Sequence, residues 1–254
     1  MSVRHVLPQL GTRKLYRLLG DSFKRQGIKM GRDKLFSLLR KQSLLVVRKR
    51  KYVKTTDSRG WMRQYPDLAK GLEPIRPEQL WVADITYLST RQGYCYLHLI
   101  TDAYSKKIMG HHISDHLAAS ATLQALKMAL KGRQYGRDLL HHSDRGLQYC
   151  SKEYTNLLKD HKISISMTQT GSPYDNAVAE RVNGILKQEF GLDEPFESIY
   201  HAKQQVDQSI MLYNTYRPHL SNNFLTPEQM HRQKKLKPRS WKRKTASFSV
   251  ETSG

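Results

Sequence analysis

Three acidic residues occupy positions where folding alone gives little reason for an acid. Asp84 lies inside the apolar, β-branched run Trp-Val-Ala-Asp-Ile-Thr-Tyr. Asp144 follows a short stretch in His-His-Ser-Asp-Arg-Gly-Leu-Gln-Tyr. Glu180 lies in Tyr-Asp-Asn-Ala-Val-Ala-Glu-Arg-Val-Asn-Gly-Ile-Leu-Lys. An aspartate inside a strand opposes β-propensity and costs free energy unless it is paired or bound to a metal. Three like charges brought together repel, and their pKa values rise unless a cation compensates. Carboxylate donors without a surrounding Cys/His set favour Mg²⁺, with Mn²⁺ as a substitute, over zinc. Two such ions, about 3.5–4 Å apart, can activate an attacking oxygen and stabilise the leaving oxygen of a phosphodiester. Taken singly, each acid has an ordinary reading: a capped edge strand, a turn aspartate before Arg145-Gly146, a surface helix residue. The constellation is what points to metal-assisted chemistry on a nucleic-acid backbone.

The elements that must position these acids show in the residue pattern. Residues 79–90, 94–100 and 107–113 are β-branched and aromatic and are separated by short turns, which predicts an antiparallel meander. Then follow a helix at 118–130, a strand at 139–142, a helix at 152–159, a strand at 163–167, a long helix from about 175 to 190 and more helix at 198–215. The order βββαβαβα predicts an α/β fold, a mixed sheet flanked by helices. With strands one and four as neighbours and the long helix across their ends, the three carboxylates converge. Asp175 is a candidate cap for that helix, with a role in the catalytic site as the alternative.

The first 55 residues read differently. Leu15, Leu18 and Leu19, then Leu35, Phe36, Leu38 and Leu39, recur at helical spacing, and Gly27 separates the two runs. Asp33 reads as the cap of the second helix. A small all-α helix-turn-helix DNA reader fits, with Arg32, Lys34, Arg40 and Lys41 making its second helix basic. The run Arg48, Lys49, Arg50 and Lys51 would track phosphate. The chain thus divides into a basic helix-turn-helix segment (1–55), a linker (56–76), a catalytic core (77–230) and a basic tail (231–254).

Charge supports a polyanionic partner. The chain of 254 residues holds 43 Lys+Arg against 22 Asp+Glu, a net +21. Residues 1–60 hold 17 basic and 3 acidic side chains, residues 231–254 hold 8 and 1, and residues 61–230 hold 18 of each. A neutral body therefore lies between two basic ends. No apolar run approaches the roughly 20 residues of a membrane span, so a membrane role is not expected. The N-terminus has no signal-peptide core, and two cysteines, Cys95 and Cys150, make neither a disulfide framework nor a zinc site. A cytoplasmic protein is expected.

Asp84 and Asp144 are separated by 59 residues, and Asp144 and Glu180 by 35. With the words quoted above, and with Leu-Ile-Thr-Asp-Ala-Tyr-Ser and Tyr-Asn-Thr-Tyr-Arg-Pro-His, this spacing resembles the D,D(35)E pattern of retroviral-type integrases. Over roughly residues 10–230 the chain is similar to the OrfB-type transposases of the third insertion-sequence family of bacteria. The resemblance implies an RNase H-like core after a helix-turn-helix. It implies Mg²⁺-dependent cleavage at insertion-sequence ends, then transfer of the 3′-OH to target DNA. The implied partners are terminal inverted repeats, target DNA, further copies of the chain on DNA, and a small upstream DNA-binding frame joined by frameshifting. A circular intermediate is also implied. Asp84, Asp144 and Glu180 match the three metal-binding acids, and Lys187 matches a basic residue seven after the glutamate. Helix periodicity puts Asn183 and Lys187 on the face of Glu180, with Arg181 beside it, so these three are expected to contact DNA.

Other residues read as structural: Asp102 as a turn or local hydrogen-bonding residue, His141 and His142 as strand-end residues with an approach to the metals as the alternative, Trp81 and Tyr87 as core or interface. Tyr213, Tyr216 and Arg217 suit either DNA contact or helix packing. Two competing readings keep part of the pattern: a sequence-independent RNase H-type nuclease, and a DNA-binding repressor with an inactive core. If the basic ends supply the grip on DNA, binding to element ends weakens steeply with salt, and deleting residues 1–60 removes most of that dependence. A titration at several salt concentrations checks this, and an unchanged slope after deletion would put the grip elsewhere.

Overall fold

The computed structural model describes residues 3–46, 65–168 and 177–233. The basic run at 48–51, the capping candidate Asp175 and the tail from residue 234 lie outside the described residues.

Three helices come first: α1 (Val3–Val6), α2 (Thr12–Arg25) and α3 (Arg32–Lys41). Leu7, Leu10, Leu15, Leu35 and Leu39 bury together between them. Gly27, at φ 65°, lets the chain leave α2 in the left-handed region where side chains are disfavoured. Asp33 does not cap α3. Gly31 occupies that position, and Asp33 sits in the first turn, where it favours the helix dipole and pairs with Arg32 at 2.8 Å.

The rest is a sheet between helices. Strands β1 (Leu80–Thr90), β2 (Gly93–Asp102) and β3 (Ile108–Ser114) form the expected meander. Helix α4 (Ala119–Lys131), strand β4 (Leu140–Ser143), helices α5 (Leu147–Cys150) and α6 (Lys152–Asp160), and strand β5 (Ser164–Met167) follow. Then come α7 (Ala177–Phe190), α8 (Ile199–Thr215), a 3₁₀ turn (Leu220–Asn222) and α9 (Pro227–His231). The strand order is β3-β2-β1-β4-β5, with β1, β4 and β5 parallel. The short α5, the 3₁₀ turn and α9 were not expected from the sequence.

Strand alternation divides the core into two layers. Leu97 and Leu99 of β2 face α7 and α8, where they meet Val182, Ile185, Val206 and Tyr213. Trp81, Ala83 and Ile100 face α4 to α6, where they meet Leu126, Tyr154 and Leu158. Strand β1 therefore lies at the centre, its first residues, Leu80 to Ala83, buried on both faces. At its back, β3 and α4 approach so closely that a Cβ on Gly110 would land on the Ala125 carbonyl oxygen and 2.7 Å from the Ala129 nitrogen. Overpacking of this kind costs roughly 1–3 kcal/mol. Gly110→Ala is expected to destabilise by about that amount in urea unfolding. Gly184→Ala, on α7 with nothing within 4 Å, is expected to leave stability unchanged or raise it.

Candidate active site

The position of Asp84 and Asp144 follows from register. β1 and β4 run parallel, and Val82 pairs with His142. Asp84 lies two residues beyond Val82, and Asp144 two residues beyond His142. Period-2 alternation therefore puts both carboxylates on one face, side by side, just past the last parallel pair, with Asp84 inside β1 and Asp144 one residue beyond β4. β1 has antiparallel β2 on its other side, so this is also the point where the sheet changes direction of growth, a favoured place for sites in α/β folds.

The electrostatics show how crowded these acids are. Asp84 is pushed up to about 7, first by burial, then by the charge of Asp144 and more weakly by Glu180. A hydrogen bond from the Ile85 N–H and one from Asn183 Nδ2, at 2.6 Å, oppose that rise. Asp144 is also raised, mainly by burial, against the Gly146 N–H at 2.9 Å and the nearby His142. Gly146 has a steric role too. A Cβ there would sit 2.9 Å from Asp144 Oδ1 and 2.8 Å from Gln148 Oε1.

Helix α7 supplies the third side. Asn183 holds Asp84 through its amide nitrogen, and its Oδ1 is buried without a hydrogen-bond partner. Lys187, one turn on, lies in the field of Asp84. Burial lowers its pKa, while Asp84 and Asp193 act in the opposite sense. Glu180 is exposed on the first turn of the described helix and reaches Asp84 only through its charge. The structure thus brings Asp84, Asp144, Asn183 and Lys187 together, with Glu180 at the rim. Among the described residues, no three His, Cys, Asp or Glu side chains form a group placed to hold a metal ion. The donor chemistry nevertheless fits a hard cation. Two close carboxylates with too few hydrogen bonds, an orphaned amide oxygen and a third carboxylate nearby are all oxygen ligands.

The remaining expectations sort cleanly. Asp102, the last residue of β2, is buried and accepts from the Glu78 and Ser105 backbone N–H groups at 2.7 and 2.8 Å, a local hydrogen-bonding role. His141 bonds the Tyr154 hydroxyl at 2.8 Å, and burial holds its pKa near 3; His142 bonds Ser166 Oγ at 2.8 Å. Trp81 is fully buried, and Tyr87 stacks edge-on against Tyr96. Tyr213 is buried with its hydroxyl donating to the Lys106 carbonyl, and Arg217 is buried against Glu189, so packing accounts for both. Arg32, Lys34, Arg40, Lys41 and Arg181 are exposed. Two features escaped sequence reading: the Lys14–Glu189–Arg217 cluster and the burial of His231 between Glu78 and Asp102. Residues so distant in the chain carry no shared local pattern.

Between about pH 4, where an unfolded aspartate titrates, and about pH 7, folded Asp84 keeps a proton that the unfolded chain has lost. Stability without metal is therefore expected to fall as pH rises through this window. Asp84→Asn should flatten the fall, leaving the smaller contribution of Asp144. Urea unfolding in a chelator at several pH values checks this, and equal slopes for the two proteins would contradict it.

Models of the integrase core domain match residues 74–173 and 161–227. The transposase of insertion sequence IS629 from Shigella sonnei is 38% identical over 177 residues, which cover 70% of this chain and 58% of that protein. Transposase InsF of insertion sequence IS3A from Escherichia coli strain K12 is 34% identical over 213 residues, 83% of this chain and 74% of that protein. The HTLV-2 integrase catalytic core domain, solved in complex with magnesium in a trimeric form, matches with a TM-score of 0.50 at 20% identity, over 62% of this chain and 98% of that one. That likeness shows a shared RNase H-like fold. A mixed five-stranded sheet with paired aspartates where β1 and β4 part, inside matched integrase-core segments, leaves one conclusion: the chain belongs to the insertion-sequence transposases of the DDE integrase superfamily.

Proposed function

We propose that the chain cuts DNA at the ends of its insertion sequence and joins the freed 3′-OH to target DNA. The observation that carries this reading is the Asp84–Asp144 pair, crowded and short of compensating charge at the edge of parallel strands. Asp84, Asp144 and Glu180 would hold Mg²⁺, two ions by this reading, with Mn²⁺ able to substitute. When bound, the metal supplies positive charge that activates the attacking oxygen and stabilises the leaving one.

The chain's own groups do the positioning. The Asn183 amide fixes one oxygen of Asp84, and the Gly146 N–H fixes one of Asp144. Lys187 faces the same site and neutralises the scissile phosphate as a point charge. Arg181, exposed beside Glu180, holds the flanking backbone. In each step an oxygen of water or of a DNA 3′-OH attacks phosphorus, the bond to the departing 3′-oxygen breaks, the nucleophile's proton goes to solvent, and the departing oxygen takes one from solvent. No side chain forms a covalent bond to DNA.

The same reading assigns the parts of the chain. Residues 1–55 read the terminal inverted repeats through Arg32, Lys34, Arg40, Lys41 and the 48–51 run, residues 56–76 link them to the core at 77–230, and the tail at 231–254 adds attraction. Pairing two element ends requires at least two copies on DNA, and an upstream frame joined to this chain would extend its grip. The work takes place on the bacterial nucleoid. Among the described residues no helix is long and apolar enough to cross a membrane.

With Mg²⁺ and DNA carrying the element ends, wild type is expected to nick and join strands. Asp84→Asn, Asp144→Asn and Glu180→Gln are each expected to lose roughly 10²–10³-fold in rate while keeping the wild-type circular dichroism spectrum. Resolution of labelled strands on a denaturing gel reads the rate, and wild-type activity no higher than that of the variants would contradict the proposal.

A further inference from the structure

A cluster of three charges joins the N-terminal helices to the catalytic helix. Lys14 of α2 lies 3.0 Å from Glu189 of α7, and Arg217, just beyond α8, grips the same carboxylate through two hydrogen bonds of 2.7 and 2.8 Å. Lys14 and Glu189 are 17% and 15% exposed, and Arg217 is 1% exposed. Next to Glu189, Phe190 packs against both the apolar cluster of α1 to α3 and that of the sheet. A cleft of about 760 Å³ opens beside the cluster, and Lys14, Arg13, Arg181 and Glu189 line it.

One carboxylate here serves two cations, so the cluster carries a net positive charge away from water. Such an arrangement is poor at stabilising a fold, and registry is the best-attested use of buried ion clusters. Helix α7 is a rod of 14 residues, about 21 Å long. Glu189 stands near its end, nine residues after Glu180 and six after Asn183. A rotation of α7 that displaced Glu189 would also displace the groups that face Asp84.

We propose that Glu189 is a positioning residue: through Lys14 it couples the seating of α2 to the rotational setting of α7, and thereby to Glu180, Asn183 and Lys187. The helices proposed to read DNA ends thus hold the catalytic helix in its working orientation. This rests on the strand-cleavage reading of the site.

The test uses Lys14→Met in the full chain, which leaves the Glu189–Arg217 pair intact and so spares the fold. Hydrogen exchange is expected to speed roughly tenfold in the amides of α7, with those of β1 and β4 unchanged, and Lys14→Arg is expected to restore the wild-type rates. On a duplex copied from the terminal repeat that flanks the coding sequence, with Mg²⁺, kcat for cleavage should drop roughly tenfold while KM stays within about twofold. A rise in KM with unchanged kcat would make Lys14 a plain DNA contact and overturn the proposal. Faster α7 exchange with unchanged cleavage would overturn it too, as would unchanged exchange. If wild type cleaves nothing, the cleavage reading falls, and the positioning role falls with it. Faster exchange confined to α7 would then show only a mechanical link.

Discussion

Two carboxylates side by side at the edge of a parallel strand pair impose the constraint around which the rest of the site is arranged. β1 and β4 put Asp84 and Asp144 at equal distances beyond the same backbone pair, and the layers of helices on both faces strip water from them. Neither acid has enough donors to offset what burial and mutual repulsion cost. The Ile85 and Gly146 N–H groups and the Asn183 amide compensate in part, and Asp84 still rises to about 7. A fold selected for stability alone would place apolar residues here, as it does at Val82 and Ala83. On the proposed reading the crowding finds its use when a divalent cation enters, and a cation so held would then receive a phosphate that the bare carboxylates would repel.

The charge distribution follows the same logic at larger scale. The net +21 belongs almost wholly to the two ends, while the body between them is neutral. A body that itself carried the excess would need no metal to attract DNA. Here attraction and chemistry are separated. On the proposed reading basic helices bring the polyanion in, while α7 presents Asn183 and Lys187 to the carboxylates. The Lys14–Glu189–Arg217 cluster sits where these two halves meet.

Much of this was legible in the residues. The meander, the α/β alternation and the long helix carry strong periodic signals, and their boundaries fall within a residue or two of the observed ones. The parallel pairing of strands one and four was an inference from element order. The side-by-side aspartates then follow from alternation. What stayed hidden was short or non-local. Helix α5 has four residues and α9 five, too few for a helical period to declare itself. Arg217 stayed open between DNA contact and helix packing, because an arginine beside tyrosines fits either role. Only the fold reveals that Glu189, 28 positions away, claims it. Asp33 was misplaced as a cap because the glycine before the helix serves that position. Glu180 was singled out by spacing and lies exposed at the rim, since spacing along a chain does not set how deeply a residue is buried.

The most direct probe of the crowded pair is the proton it gives up. Calorimetric titration of Mg²⁺ into the full chain near pH 6.5, in two buffers of different ionisation heat, reports protons released on binding. With Asp84 still partly protonated, Mg²⁺ binding is expected to expel a fraction of a proton, and Asp84→Asn is expected to remove both that release and most of the affinity. Binding with no proton release, or binding that survives the loss of Asp84 unchanged, would show that the paired aspartates are not the metal site.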